Sequence, residues 1–132
     1  MTIARLDHLV LTVADVDMTV GFYVTVLGME EVTFGEGRRA LAFGQQKINL
    51  HQQGHEFEPK AARPVPGSAD LCFVSNEPLD TVLSALDTNG VPLVEGPVTR
   101  TGALGPIESV YFRDPDGNLI EVSVYPSRES LP

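Results

Sequence analysis

Tyr111-Phe112-Arg113-Asp114-Pro115-Asp116-Gly117-Asn118-Leu119-Ile120-Glu121-Val122-Ser123-Val124 is the stretch that decides how this chain of 132 residues is read. Its middle, Asp114 to Asn118, consists of turn formers: proline presets φ, glycine accepts positive φ, and Asp and Asn side chains bond their own backbone. Apolar, partly β-branched residues on both sides predict a hairpin. In the return strand, alternation puts Leu119, Glu121 and Ser123 on one face and Ile120, Val122 and Val124 on the other. Glu121 is then a carboxylate in mid-strand, where a charge is costly unless it is paired or holds a metal.

Outward from the hairpin the chain divides into short elements. Leu6 to Val13 reads as a buried strand. Asp15 or Asp17 caps a helix in which Val16, Val20, Tyr23 and Leu27 recur at helical spacing, and Gly28 ends it. Strands are expected at Glu31 to Phe34, Arg39 to Phe43 and Lys47 to His51. From Gln52 to Ser68 glycines and prolines break any regular element. Ala69 to Val74 is again strand-like. Asn76 is expected to cap a second helix beginning near Pro78, with Leu79, Val82, Leu83 and Leu86 on its buried side and Gly90 at its end. Strands at Val91 to Val94, Glu108 to Arg113 and Asn118 to Tyr125 follow, with a Gly/Pro-rich loop from Gly96 to Pro106 after the first.

The two halves repeat. Laying Leu6 to Val32 over Ser68 to Val94 matches His8 with Asp70, Val20 with Val82, Gly28 with Gly90 and Val32 with Val94. Two copies of so long a unit indicate a duplicated module. Module one spans 1–53, a linker 54–67, module two 68–126 and a tail 127–132, together a single domain. The repeat turns scattered polar residues into a set. His8 and Asp70 hold matching places, and Glu121 in the last strand corresponds to His51 or Asn49, according to where the gap is placed. His8, His51, Asp70 and Glu121 are donors suited to a divalent ion such as Ni, Co, Fe, Mn or Zn.

Composition narrows the function classes. Eighteen acidic against nine basic residues, a formal charge of −9, argue against a nucleic-acid partner. One cysteine excludes an internal disulfide framework and fits a reducing cytoplasm; Cys72, between Leu71 and Phe73, reads as buried and inert. No apolar run is long enough to span a bilayer, and the first residues lack the apolar core of a signal peptide, so a cytoplasmic protein with no membrane partner is expected.

Leu6 to Val13, Phe22 to Met29 and Phe112 to Val122 resemble the vicinal oxygen chelate superfamily, the glyoxalase/bleomycin resistance/dioxygenase group. Lys47 to His51, Phe57 to Ala61 with Pro66 to Phe73, and Glu95 to Gly102 are similar to its glyoxalase domain-containing protein 5 subgroup, which includes virulence-protein and lactoylglutathione-lyase-like members. The resemblance implies an α+β fold of two pseudo-symmetric βαβββ modules forming an open, cup-shaped mixed sheet around a divalent metal. It implies His8 and Glu121 as ligands, with Asp70 and His51 (or Asn49) in the other two places. Glyoxalase I resembles the order His, Glu, His, Glu, so the middle pair is exchanged here.

The activity implied is of glyoxalase I type, in which an enediolate-type intermediate of a small oxygen-chelating substrate is stabilised. Glu121 would move the proton, with Asp70 a ligand or second base. Arg100 and Asn49 are the expected substrate contacts, and Arg38 or Arg39 is a further candidate for a substrate carboxylate. The runner-up is an Fe(II) extradiol-type dioxygenase using His8, His51 and Glu121; only His55 would remain as its separate acid/base. A metal-free protein that binds an antibiotic-like molecule is the third reading. An open sheet edge predicts a homodimer.

Overall fold

The structure is a computed structural model that describes residues 1–126. The tail expected over 127–132 lies outside the described residues. The chain divides after Ser68 into two compact units.

In unit 1, strand β1 (His8–Val13) leads into helix α1 (Val16–Leu27), followed by β2 (Glu30–Phe34), β3 (Arg38–Phe43) and β4 (Gln46–Gln52). The sheet order is β1-β4-β3-β2, with β1 parallel to β4 and the other pairs antiparallel. Asp15 caps α1, its side chain accepting from the Met18 N–H, and Gly28 ends it at φ 67°. The strand end is tied to the helix start through Gln52, which donates to the Ala14 carbonyl and accepts from the Val16 N–H. Val20 and Tyr23 of α1 are buried, as are Leu11, Val13, Leu41, Ile48 and Leu50 of the strands. Each such side chain contributes roughly 1.5–3 kcal/mol of transfer free energy.

Unit 2 repeats the plan. Strand β5 (Asp70–Val74), helix α2 (Leu79–Thr88), β6 (Glu95–Gly102), β7 (Gly105–Arg113) and β8 (Leu119–Val124) give the order β5-β8-β7-β6, with β5 parallel to β8. Its core gathers Leu86, Val110, Phe112, Ile120 and Val122. The hairpin between β7 and β8 turns where expected. Asp114 Oδ1 accepts from the N–H groups of Asp116 and Asn118, Asn118 Nδ2 donates to Asp114 Oδ2, and Gly117 takes φ 84°.

Three local expectations are corrected. Asn76 does not cap α2; Pro78 occupies the cap position, and Ser75 Oγ accepts from the Glu77 N–H instead. Val91 to Val94 is not a strand, because Pro92 lacks a donor and pairing begins only at Glu95. The Gly/Pro-rich stretch after it is the strand β6, on the sheet edge where proline is tolerated. Gly96 permits a register shift between Glu95 and Val98: at φ 113°, a Cβ there would sit 2.6 Å from the Ser109 carbonyl oxygen and 2.9 Å from Val110 Cα.

Gly96→Ala is therefore expected to lose about 2–3 kcal/mol of stability in urea unfolding. Gly21→Ala, on the exposed side of α1 with no atom within 4 Å of the added Cβ, gains about 0.5–1 kcal/mol. Equal midpoints for the two variants would contradict this account of β6.

Candidate functional site

Helix α1 covers one face of the unit 1 sheet. The pleat sends every second residue to the opposite, open face. There β1 presents His8, Val10 and Thr12; β4 presents Lys47, Asn49 and His51; β3 presents Arg38 and Ala40; and β2 ends in Phe34. His8 Nδ1 lies 2.8 Å from Asp7 Oδ2, which holds that nitrogen and leaves Nε2 to another partner. The same contact holds the Asp7 carboxyl below its ordinary range. Asn49 is buried, 6% exposed, and its Oδ1 has no hydrogen-bond partner. His51 is buried too. Its Nε2 faces Arg38 Nη2 at 3.4 Å, and its ring meets Phe57 edge-on at 5.6 Å. Burial, and then the Arg38 charge, push the His51 pKa down.

Unit 2 has the same division. On the open face of its sheet, β5 presents Asp70, Cys72 and Val74; β8 presents Leu119, Glu121 and Ser123; and β7 presents Ser109 and Tyr111. Glu121 Oε2 accepts from Ser109 Oγ at 2.6 Å and from Ser123 Oγ at 3.3 Å, and both serines are fully buried. Tyr111, directly across from Glu121, accepts from Arg100 Nε at 3.1 Å. Burial raises the Tyr111 pKa against the opposing pull of Arg100, and Glu121 adds to the rise.

The registers answer which module-one residue matches Glu121. His8 pairs with Lys47 and Asp70 with Leu119, so two positions further along, Asn49 corresponds to Glu121. His51 corresponds to Ser123. His8 and Asn49 are diagonal neighbours on adjacent strands, about 8 Å apart, as are Asp70 and Glu121. His8 and His51 are separated by four positions, about 14 Å. Among the described residues no three His, Cys, Asp or Glu side chains stand together as a metal-holding group; each sheet supplies a pair. Taken unit by unit, the side chains are of kinds a divalent ion accepts: in unit 1 an unsatisfied amide oxygen and an imidazole held from behind by a carboxylate, and in unit 2 a carboxylate that accepts from Ser109.

The other candidates separate. Arg39 is on the helix side, bound to Asp17 at 2.5 Å and Glu31 at 3.2 Å. Arg100 is engaged by Glu95 at 3.0 Å as well as by Tyr111. Lys60 pairs with Glu56 and Glu58 in the linker. His55 lines a cavity of about 310 Å³ beside Asp15, Asp17, Arg39 and Leu50, where none of the candidate donors lies. Cys72 is exposed, not buried: it sits opposite Glu121 on the open face, because its strand covers the helix side with Leu71 and Phe73. Neither Ser109 nor Ser123 was expected as a site residue, although Ser123 shares the face of Glu121 and both Ser109–Ser123 and Tyr111–Glu121 are equidistant from Asp116 at the hairpin tip.

The family model described as Glyoxalase/Bleomycin resistance protein/Dioxygenase superfamily matches residues 5–122. The chain is 62% identical over 125 residues to the virulence protein STM3117 of Salmonella typhimurium, covering 95% of this chain and 87% of that protein. The crystal structure of that protein superposes with a TM-score of 0.94 at 61% identity, covering 96% and 100% of the two chains. The chain is 58% identical to the glyoxalase domain-containing protein RDO1 of Mycosarcoma maydis, covering 95% and 70%. At 24% identity and a TM-score of 0.70, over 94% and 96% of the chains, the lactoylglutathione lyase of Agrobacterium tumefaciens shares the fold.

Although the residue as a whole is exposed, partial desolvation of its sulfur, followed by the charges of Glu121 and Asp70, raises the Cys72 pKa, against a hydrogen bond to Ser123. Its alkylation by iodoacetamide is expected to reach half-maximal rate at a higher pH than a free thiol in the same buffer. Glu121→Gln removes a negative charge that opposes the thiolate and moves that midpoint down; an unchanged midpoint would contradict the placement of Glu121.

Proposed function

The chain belongs to the Glyoxalase/Bleomycin resistance protein/Dioxygenase superfamily, and we propose that it is a metal-dependent enzyme of the lactoylglutathione lyase type. Its substrate is a small molecule presenting two neighbouring oxygens. The observation that carries this reading is the matched register of the two sheets. His8 and Asp70, and Asn49 and Glu121, occupy equivalent positions on the faces opposite the helices. We take these four as the metal donors, with Asn49 in the place left open between it and His51. His51, engaged by Arg38 and Phe57, goes to the substrate side. An oxygen-rich set of this kind suits Mn or Fe at least as well as Zn, alongside Ni and Co.

His8, Asn49, Asp70 and Glu121 would hold the divalent ion, which would supply Lewis-acid stabilisation of negative charge on the substrate. Glu121 takes a proton from one carbon and returns it to its neighbour, so no atom is gained or lost. Ser109 holds the carboxylate in one orientation by donating to Oε2 at 2.6 Å, and the Ser123 hydroxyl, 2.6 Å from that of Ser109, supports it from behind. Tyr111, kept protonated, offers an O–H beside Glu121, and Arg100 acts by positioning Tyr111. The dioxygenase reading loses support because it depends on His51 as a second histidine ligand. Apolar residues exposed in the single chain, among them Val10 at 45% and Val74 at 60%, support a homodimer.

Protein purified without chelators is expected to carry about one Ni, Co, Fe, Mn or Zn ion per chain by elemental analysis, and Glu121→Gln to bind it at least about tenfold more weakly. Metal-loaded protein is expected to isomerise the methylglyoxal–glutathione adduct. Oxygen uptake with catechols and no isomerisation would favour the dioxygenase. Absence of metal, or full metal binding by Glu121→Gln, would overturn the reading. Sedimentation is expected to give two chains rather than one of 14.3 kDa.

A further inference from the structure

The chain is acidic, and most of its well-placed cations are already matched. Arg39 is shared by Asp17 and Glu31, Arg100 is paired with Glu95, and Lys60 with Glu56 and Glu58. Two cations on the open face of the unit 1 sheet differ. Arg38 and Lys47 form no ion pair among the described residues, and aromatic rings hold them instead. The Arg38 guanidinium carbon lies 5.1 Å from the Phe34 ring centre and 4.7 Å from that of Phe57, and Lys47 Nζ lies 3.8 Å from the Phe34 ring centre.

We infer that Arg38 and Lys47, walled by Phe34 and Phe57, form a subsite that receives a carboxylate of the substrate. A guanidinium set against ring faces keeps its N–H donors at its edge, where they match the two oxygens of a planar carboxylate. His51 Nε2 occupies one edge, at Nη2, and fixes the orientation of the fork without supplying a competing anion. The rings also lower the local hydration of both cations, which strengthens their attraction for an anion. Phe57, 41% exposed, is an apolar wall that a ligand would cover.

The position relates this subsite to the donors. Ala40 of β3 is in register with Asn49 of β4, and Arg38 is two residues from Ala40 along β3, so Arg38 lies one row, about 8 Å, from Asn49 on the same face. An acid with its carboxylate on Arg38 would direct its remaining oxygens toward Asn49 and His8. The assignment rests on the reading that this face holds the substrate, and it narrows that substrate to an oxygenated acid.

NMR titration of metal-free protein with glycolate and with its neutral counterpart glycolamide tests the subsite apart from the metal. Glycolate is expected to shift the Arg38 Nε–H and Phe34 signals saturably, and glycolamide to leave them unmoved. Arg38→Met is expected to weaken glycolate binding at least about tenfold, whereas Arg39→Met, on the helix side, leaves it unchanged. Equal responses to the two compounds in wild-type protein, or unweakened binding by a folded Arg38→Met variant, would overturn the assignment. Repeating the titration after nickel addition separates the two readings. Nickel uptake without glycolate preference removes the subsite alone. Glycolate preference without nickel uptake removes the metal centre alone and leaves the carboxylate subsite standing.

Discussion

In each sheet one inner strand, β4 in unit 1 and β8 in unit 2, lies between a parallel neighbour and an antiparallel one, and its pleat has to serve two environments at once. Ile48 and Leu50 in β4, and Ile120 and Val122 in β8, face a helix and bury their side chains. The residues between them, Asn49 and Glu121, are thereby committed to the opposite face. A one-residue slip of either strand would put a polar group under the helix and an apolar one outside, which the burial free energy of those four side chains forbids. The arrangement of the candidate donors follows from this packing.

The supporting polar groups follow from the same geometry. Ser109 and Ser123 are small enough to be fully buried beside Glu121, and their hydroxyls meet its Oε2 instead of leaving a carboxylate unsolvated. In unit 1 the equivalent row holds His51, and Arg38 with its two rings fills the space around it. The two modules share a frame but have diverged in chemistry: one carries hydroxyls that orient a carboxylate, the other cations that face outward.

Much of this was legible in the sequence. Asp15, the spacing of Val16, Val20 and Tyr23, and Gly28 define α1, while Asp114 to Asn118 define the last hairpin, because each of these signals is local. The repeat in element order is also visible, and it led to His8, Asp70 and Glu121. The assignment of β6 failed because Gly96 and Pro97 read as loop formers, whereas their role depends on an edge position and on the nearby Ser109 carbonyl. The choice between Asn49 and His51 required the register of β1 on β4, a long-range pairing that alternation along a single strand does not contain. Cys72 looked buried between Leu71 and Phe73 because neighbours in sequence lie on the other face of a strand. Phe57 joins Arg38 from an irregular segment whose course has no periodicity to read.

In the proposed centre a metal ion would take one imidazole, from His8, with Asn49 rather than His51 in the module-one strand. Pulsed EPR of Mn(II)-loaded protein labelled with 15N-histidine counts coordinated ring nitrogens directly. Coupling to a single imidazole, lost in His8→Gln and retained in His51→Gln, is the predicted result. Coupling to two imidazoles, or its retention in His8→Gln, would contradict the account.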